Sequence, residues 1–326
     1  MSEVMLITGI SGFVGSHLVD HLMETSAAWR IYGTIRERSN LRYISRYGQR
    51  IGLCHCELTD FSSVRDTLKE VKPDYIVHLA GQSSIAYSWN QPNSLLDANV
   101  RSTINIFESI KELGLSSTRV LIIGSSDCYG IVDRCDFNIP ESHPLRPVSL
   151  YAITKAANEY YAYHYHLVHS IDTVLVRAFN HTGPRRPAGY ALSGFAKQIA
   201  EIEKGLRPAT MYVGNLGVVR DFLDVRDVVV AYRLALEKCQ SGQVYNICSG
   251  KGYRLADLLE ILLSLSNAKA EVKVDSTLLR HFDLPWIVGD NRKFVRETGW
   301  SIRYDIRDTL RDLLSYWRVE LGQPLP

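Results

Sequence analysis

The first fifteen residues constrain the fold more than any later stretch. An apolar run at residues 4–7 ends in Thr8-Gly9-Ile10-Ser11-Gly12-Phe13-Val14-Gly15 and opens directly onto a helical pattern at residues 12–23. A strand that turns this tightly into a helix brings backbone N–H groups and the positive end of the helix dipole to one point, which suits an anion. Three glycines permit the tight turn, a close backbone approach to a pyrophosphate, and close packing of helix on sheet. We therefore expect a dinucleotide-binding βα unit, with Gly9, Gly12, Phe13, Val14 and Gly15 against the diphosphate.

The pattern continues in kind. β-Branched runs at residues 30–35, 51–57, 75–79, 119–125 and 173–177 alternate with helical patterns at 62–71, 95–113 and 149–169. Such alternation signals βαβ units and a parallel sheet. Lys72-Pro73-Asp74 reads as a helix stop before the fourth strand. After Phe179 the rhythm fades into a Gly- and Pro-rich loop at 183–189, then a helix at 193–205. Asp224 has the character of an N-cap, with Asp227 completing a box-like arrangement ahead of a helix at 228–238. A strand at 244–248 is a late candidate for the main sheet, and residues 254–326 read as helical and mixed.

The expected fold class is α/β: a doubly wound parallel Rossmann sheet with a smaller mixed α/β substrate-binding domain. The expected division assigns 1–178 and 217–250 to the cofactor unit, and 179–216 and 251–326 to the substrate unit. A chain of 326 residues is long enough for both.

Composition narrows the function classes. With 37 basic and 35 acidic residues the net charge is +2, so no global field favours nucleic acid or a membrane surface. No apolar stretch approaches the roughly 18 residues of a membrane span, and no secretory signal is visible. Six cysteines show no C-x-x-C pairing. Cys54 and Cys56 flank His55, but alternate strand residues face opposite ways, so buried thiols are expected rather than a metal site. His164 and His166, two apart on a helix, share no face and are read as interface or surface residues. A reduced, cytoplasmic protein is the expectation.

Two features point to redox chemistry. The second strand ends in Gly33-Thr34-Ile35-Arg36, where NAD enzymes carry an acid for the ribose 2′-hydroxyl. An arginine there suits a 2′-phosphate, so NADP(H) is the expected cofactor. Tyr151 and Lys155 lie four apart on a helix and share a face. An ammonium beside a phenol favours the phenolate, which would make Tyr151 a usable acid/base near neutral pH.

The G-x-x-G-x-x-G spacing, Ser125 in Gly124-Ser125-Ser126-Asp127 and Tyr151-x-x-x-Lys155 together resemble the extended short-chain dehydrogenase/reductases. The resemblance implies that Ser125 hydrogen-bonds the reacting sugar oxygen while Tyr151 exchanges its proton. It also implies adenine contacts at Glu57 and Leu58, and contacts with the cofactor phosphates and ribose at Leu79, Ala80 and Gly81. Residues 81–89, Phe179-Asn180-His181-Thr182-Gly183-Pro184 and the run from Gly214 to Phe222 look like the GDP-mannose 4,6-dehydratases, and more so like the GDP-4-keto-6-deoxy-mannose reductases. That likeness implies a nucleotide-sugar substrate, with Asn180, Arg220 and Arg280 on its diphosphate, Lys197 as a weaker candidate, and Ser83 and Ser126 on the substrate side.

Asp127 separates the reactions. Strand alternation predicts that it shares a side with Ser125, at the place where the dehydratases carry a glutamate that takes the C5 proton. Aspartate is shorter by one methylene, and a general base must reach its proton. Reduction of a C4 ketone is therefore expected over 4,6-dehydration. A 4-epimerase and a non-catalytic cofactor sensor are more distant readings. The helix that carries Tyr151 is aromatic on several sides, and the resemblance implies that it pairs with the 95–113 helix in a homodimer. Arg38, Ser39, Asn40 and Arg42 are similar to a dehydratase loop that reaches a neighbouring subunit, which allows a tetramer.

Overall fold

The computed structural model describes residues 3–25, 29–83, 91–132, 137–279 and 282–322. Strands β1 (Glu3–Thr8), β2 (Trp29–Ile35), β3 (Ile51–His55), β4 (Tyr75–His78), β5 (Arg119–Ser125) and β6 (Asp172–Ala178) alternate with helices. These helices are α1 (Phe13–Thr25), α2 (Phe61–Val71), α3 (Pro92–Leu96), α4 (Ser102–Leu113) and α5 (Leu150–His169). The chain continues through β7 (Asn180–Thr182), α6 (Ala191–Glu203), β8 (Thr210–Val213), β9 (Val219–Asp224), α7 (Val225–Lys238), β10 (Val244–Ile247) and β11 (Gly252–Arg254). It ends in α8 (Leu255–Ser264), β12 (Glu271–Val274), β13 (Trp286–Ile287), α9 (Arg292–Thr298) and α10 (Ile306–Glu320).

The main sheet runs β10-β6-β5-β4-β1-β2-β3, with every described pairing parallel. The late strand expected at 244–248 closes one edge against β6. Strand order reverses between β1 and β4, so the crevice at their carboxyl ends is the switch point where ligands bind in such sheets.

The apolar runs have a direct cause. Met5 and Ile7 lie in one hydrophobic cluster with Leu18, Val19 and Leu22 of α1 and Val228 of α7. Leu6, pointing the other way, lies in a second cluster with Val64 and Leu68 of α2, Phe107 of α4 and Tyr165 of α5. Helices cover both faces, so the strands are apolar on both sides rather than alternating. Fully burying one such side chain is worth about 1.5–3 kcal/mol. Among the described residues no helix is long and apolar enough to cross a membrane.

The expected helix stop holds: Lys72 takes the left-handed conformation (φ 46°) and its N–H closes on Leu68 O. The helix expected over 95–113 has an interruption, because Asp97–Arg101 forms a π-turn between α3 and α4. Asp224 caps α7 by accepting from the Arg226 N–H. Asp227, however, completes no capping box. Its carboxylate accepts from the backbone N–H groups of Arg303 and Tyr304, which ties the C-terminal segment to α7.

A smaller layer lies beside the main sheet. β9 pairs with β7, β11 and β13, and β8 pairs with β12. Helices α6, α8 and α10 share a third cluster with Met211 and Val213 of β8. Two expected boundaries shift accordingly. Residues 219–224, assigned to the cofactor unit from sequence, pair within the small sheet. Phe294 and Trp300, assigned to the substrate unit, pack in the cluster of β1 and α7. Cys56 is buried and Cys54 half-buried, and burial pushes both thiols up.

Candidate active site

The glycine turn is sterically required. Gly9 is left-handed (φ 70°), and a Cβ there would stand 3.1 Å from the Ala80 backbone. A Cβ on Gly15 would meet Gly9 O at 2.5 Å. Beneath the turn, the Ala80 N–H donates to Thr8 Oγ1 (3.1 Å), and the Thr8 hydroxyl and His78 Nδ1 share a hydrogen bond at 2.8 Å. His78 is buried and neutral, its pKa pushed down by burial to about 3. The ends of β1 and β4 are thereby locked together under the loop. Leu79 is half-buried, as is Val14, and both pack on the main core. Gly81 abuts Asn99 of the π-turn, whose Oδ1 accepts from the Gln82 N–H at 2.7 Å and whose Nδ2 donates to Thr154 of α5.

At the end of β2, Arg36 is exposed and makes no ion pair among the described residues; its N–H donates to Ser39 Oγ. Glu57 turns its carboxylate to the N–H and hydroxyl of Thr59. Leu58 is buried, and its carbonyl accepts from Asn105 Nδ2.

Ser149 caps α5 by accepting from the Ala152 N–H, which sets Tyr151 in the first turn beside the end of β5. Ser125, the last residue of β5, accepts from the Asp127 N–H at 3.2 Å. Residues Ser126–Tyr129 form a 3-10 turn, so the strand alternation used to place Asp127 does not reach it. The turn nonetheless brings the Asp127 carboxylate into charge range of Tyr151. Ser126 is buried in the same turn.

The expected effect of Lys155 on Tyr151 is corrected here. Lys155 Nζ donates to the Ile123 carbonyl at 2.8 Å, and burial holds its pKa down to about 8. Tyr151 is pushed above the usual tyrosine range, first by burial and then by Asp127, while Ser125 acts in the opposite direction. Burial is the largest influence on the phenol, and the ammonium, turned to the Ile123 carbonyl, is not among the groups that shift it.

Across the crevice lies the segment from β7 to α6. Asn180 Nδ2 and Thr182 Oγ1 are buried atoms without a hydrogen-bond partner among the described residues. Orphaned donors of this kind are uncommon in native proteins and call for a ligand or water. Arg186 stacks on the Tyr190 ring (3.5 Å to the centroid) and the Phe13 ring (5.0 Å). It pairs with no carboxylate among the described residues, and its charge interacts with Tyr151. The Tyr190 hydroxyl bonds Ser83 Oγ across the opening. His181 stacks on Phe13 with ring centroids 6.1 Å apart.

The remaining substrate-side candidates are less free. Arg220 is buried and paired with Asp283 at 2.8 Å. Lys197 lies 3.5 Å from Glu201 and over the Trp317 ring. Arg280 lies outside the described residues, as do positions 84–89 of the segment that follows Ser83.

A crevice at the switch point of the sheet, a Ser/Tyr/Lys group and an arginine with no carboxylate partner among the described residues occur together, and comparison with known proteins specifies the family. A family model described as GDP-mannose 4,6 dehydratase matches residues 6–313. The chain belongs to the GDP-mannose 4,6-dehydratase family. Within that family's reach, a GDP-6-deoxy-D-mannose reductase of Pseudomonas aeruginosa is 31% identical over 323 residues, spanning 99% of this chain and 100% of its own. A GDP-6-deoxy-D-talose 4-dehydrogenase of Aggregatibacter actinomycetemcomitans is 28% identical over 320 residues, spanning 98% and 99%. Among solved structures, RMD from Pseudomonas aeruginosa complexed with NADPH superposes with a TM-score of 0.85 at 30% identity, covering 98% of this chain and 99% of that one.

Reading the sequence alone missed Arg186, Tyr190, Asn99 and the Asn180/Thr182 pair of orphaned atoms as a set. A signal for the first lay in Pro184-Arg185-Arg186, a basic pair in a Gly/Pro loop with no acid nearby in sequence.

Proposed function

We propose that this member of the family is an NADP(H)-dependent oxidoreductase that reduces the C4 ketone of a GDP-4-keto-6-deoxyhexose, with GDP-4-keto-6-deoxy-D-mannose as the first candidate. The observation that carries the reading is the grouping of Ser125, at the end of β5, with Tyr151 in the first turn of α5 and Lys155, whose Nζ donates to the Ile123 carbonyl of that strand. A reductase needs a proton donor at the moment the C4 oxygen gains charge, and a phenol serves as one when a nearby ammonium offsets the phenolate it leaves. The full-length likeness to a reductase supports the same choice.

The residues present fit a phosphorylated dinucleotide. The glycine turn packs Gly9 and Gly15 too closely against neighbouring backbone for side chains, and among the described residues neither Arg36 at the end of β2 nor Arg186 pairs with a carboxylate. A cation buried without a partner is costly, so an anionic ligand is its natural complement. Bound there, NADPH supplies the hydride. Tyr151 gives its proton to the C4 oxygen, Ser125 hydrogen-bonds that oxygen, and the Lys155 ammonium offsets the phenolate left behind. Asn180, with an orphaned donor, is the foremost ligand for the sugar nucleotide diphosphate, with Arg220, Lys197 and Arg280 as further candidates and Ser83 and Ser126 beside the sugar.

One observation favours 4,6-dehydration as a second reading: the Asp127 carboxylate is close enough to Tyr151 to shift it, so a base does face the site. Anaerobic incubation separates the two. A reductase consumes NADPH stoichiometrically with the 4-keto-6-deoxy sugar, and Asp127→Asn retains most of that activity, because no C5 proton is removed. Conversion of GDP-mannose without net NADPH use, lost in Asp127→Asn, would replace the first reading with the second.

A homodimer and a reduced, cytoplasmic setting complete the reading. Ile153, Tyr160, Leu167 and Val168 leave an apolar outer face on α5, with Tyr160 64% exposed, which supports pairing with a second copy. Free thiols at Cys56, Cys128, Cys239 and Cys248, all buried, suit a reducing compartment. In the arm after β2, Arg42 makes a bidentate pair with Glu320 and Tyr43 meets Tyr316 within the chain, so an arm reaching another subunit would have to leave these contacts.

A further inference from the structure

Four residues of α1, namely Phe13, Ser16, His17 and Asp20, lie at spacings of three, four and seven and so occupy one helix face. All four touch the segment between β7 and α6. Phe13 stacks on His181 and Arg186; Ser16 Oγ accepts from Arg185 at 3.2 Å. His17 Nε2 donates to Pro184 O at 2.9 Å, and Asp20 Oδ2 accepts from Arg185 at 2.7 Å.

Gly183-Pro184-Arg185-Arg186 closes a turn through the Arg186 N–H and Gly183 O at 3.2 Å, with Arg185 at φ 72°. A turn with proline second and a positive φ third is type II, and glycine or asparagine is the residue that third position favours. An arginine there is held against its own backbone preference, so the side chain has a use that outweighs the strain. That side chain is mostly buried, 15% exposed against 14% for Asp20, and lies over the Tyr43 ring.

We propose that the Asp20–Arg185 ion pair is a positioning contact that pins this turn in its left-handed form and so presents the next residue, Arg186, to the crevice. Helix α1 then governs both the anion site at its own N-terminus and the cation facing it. Arg185 touches no ligand and acts through Arg186. The inference rests on the reading of the crevice as a site for phosphorylated ligands.

Arg185→Gly is the discriminating variant, because glycine relaxes the backbone while deleting the ion pair; Asp20 is less clean, since it also holds Arg46 and Tyr47. NADPH and GDP are titrated separately into the full chain, into Arg185→Gly, into Arg186→Ala and into the double variant, with melting temperatures recorded alongside. Arg185→Gly is expected to weaken NADPH binding about tenfold without lowering the melting temperature, and Arg186→Ala to do the same. The double variant should be no weaker than Arg186→Ala alone, because both losses run through one guanidinium. A loss confined to GDP supports the same positioning role with the sugar nucleotide as the anion. Unchanged binding of both ligands in Arg185→Gly, or losses that multiply in the double variant, overturns the proposal. Failure of the unmodified chain to bind either ligand would instead bring down the functional reading.

Discussion

Burial at the end of β5 sets the acid–base behaviour of single residues. Lys155 is driven down to about 8, so its ammonium is present below that pH and lost as the pH rises through it. If that charge supports the phenolate of Tyr151, kcat/KM falls on the alkaline side with an apparent pKa near 8, and the step disappears in Lys155→Met; a profile flat to pH 9.5 would remove Lys155 from the reaction. Arg36 offers a separate test. It is exposed at the end of β2 and makes no ion pair among the described residues, so Arg36→Ala should weaken NADPH binding tenfold or more, by about 1.5–3 kcal/mol, and leave NADH binding nearly unchanged. Equal losses for both cofactors in a titration would show that Arg36 reads no 2′-phosphate.

Elements matter here through their ends. Tyr151 lies in the first turn of α5, held by the Ser149 cap. Ser149→Ala removes the partner of the Ala152 N–H and should cost about 1 kcal/mol in denaturant unfolding. Because fraying of that turn moves Tyr151 directly, turnover should fall further than the stability loss alone explains. Turnover kept at the parental level would mean that packing of Ala152 and Ala156, both buried, holds the turn without its cap. The π-turn Asp97–Arg101 acts in a similar way, since the widened turn presents Asn99 to Gln82 and Thr154 at once. Neither device is visible in a hydrophobic pattern, which registers 95–113 as one uninterrupted helix.

Across the whole molecule, stability should depend on pH through buried histidines. His17, His21 and His181 are pushed down to about 4 and His78 to about 3, burial being the largest cause in each. The unfolded chain binds protons at these sites below about 6.5 while the folded chain does not, so stability rises with pH between about 4 and 6.5. Asp221, raised to about 6 by burial, and Asp227, raised by burial as well, work in the opposite sense, two carboxyls against four histidines. A melting temperature that stays constant from pH 6.5 to 4.5 would contradict this balance. The strand–glycine–helix start, the βα alternation and the spacing of Tyr151 and Lys155 were legible because each follows from local chain geometry: a turn, a period, a helix repeat. Even the late strand 244–247 could be read, since three of its four residues, Val244, Tyr245 and Ile247, are β-branched or aromatic. Strands of two to four residues such as β7, β11 and β13 are too short to carry a period, so the small sheet and the true place of residues 219–224 emerged only from pairing. The upward push on the Tyr151 phenol, and the lack of partners for Asn180 Nδ2 and the Arg186 guanidinium among the described residues, depend on what surrounds each group in space. Desolvation and charge act through distance rather than along the chain, and those distances exist only once the sheet has folded.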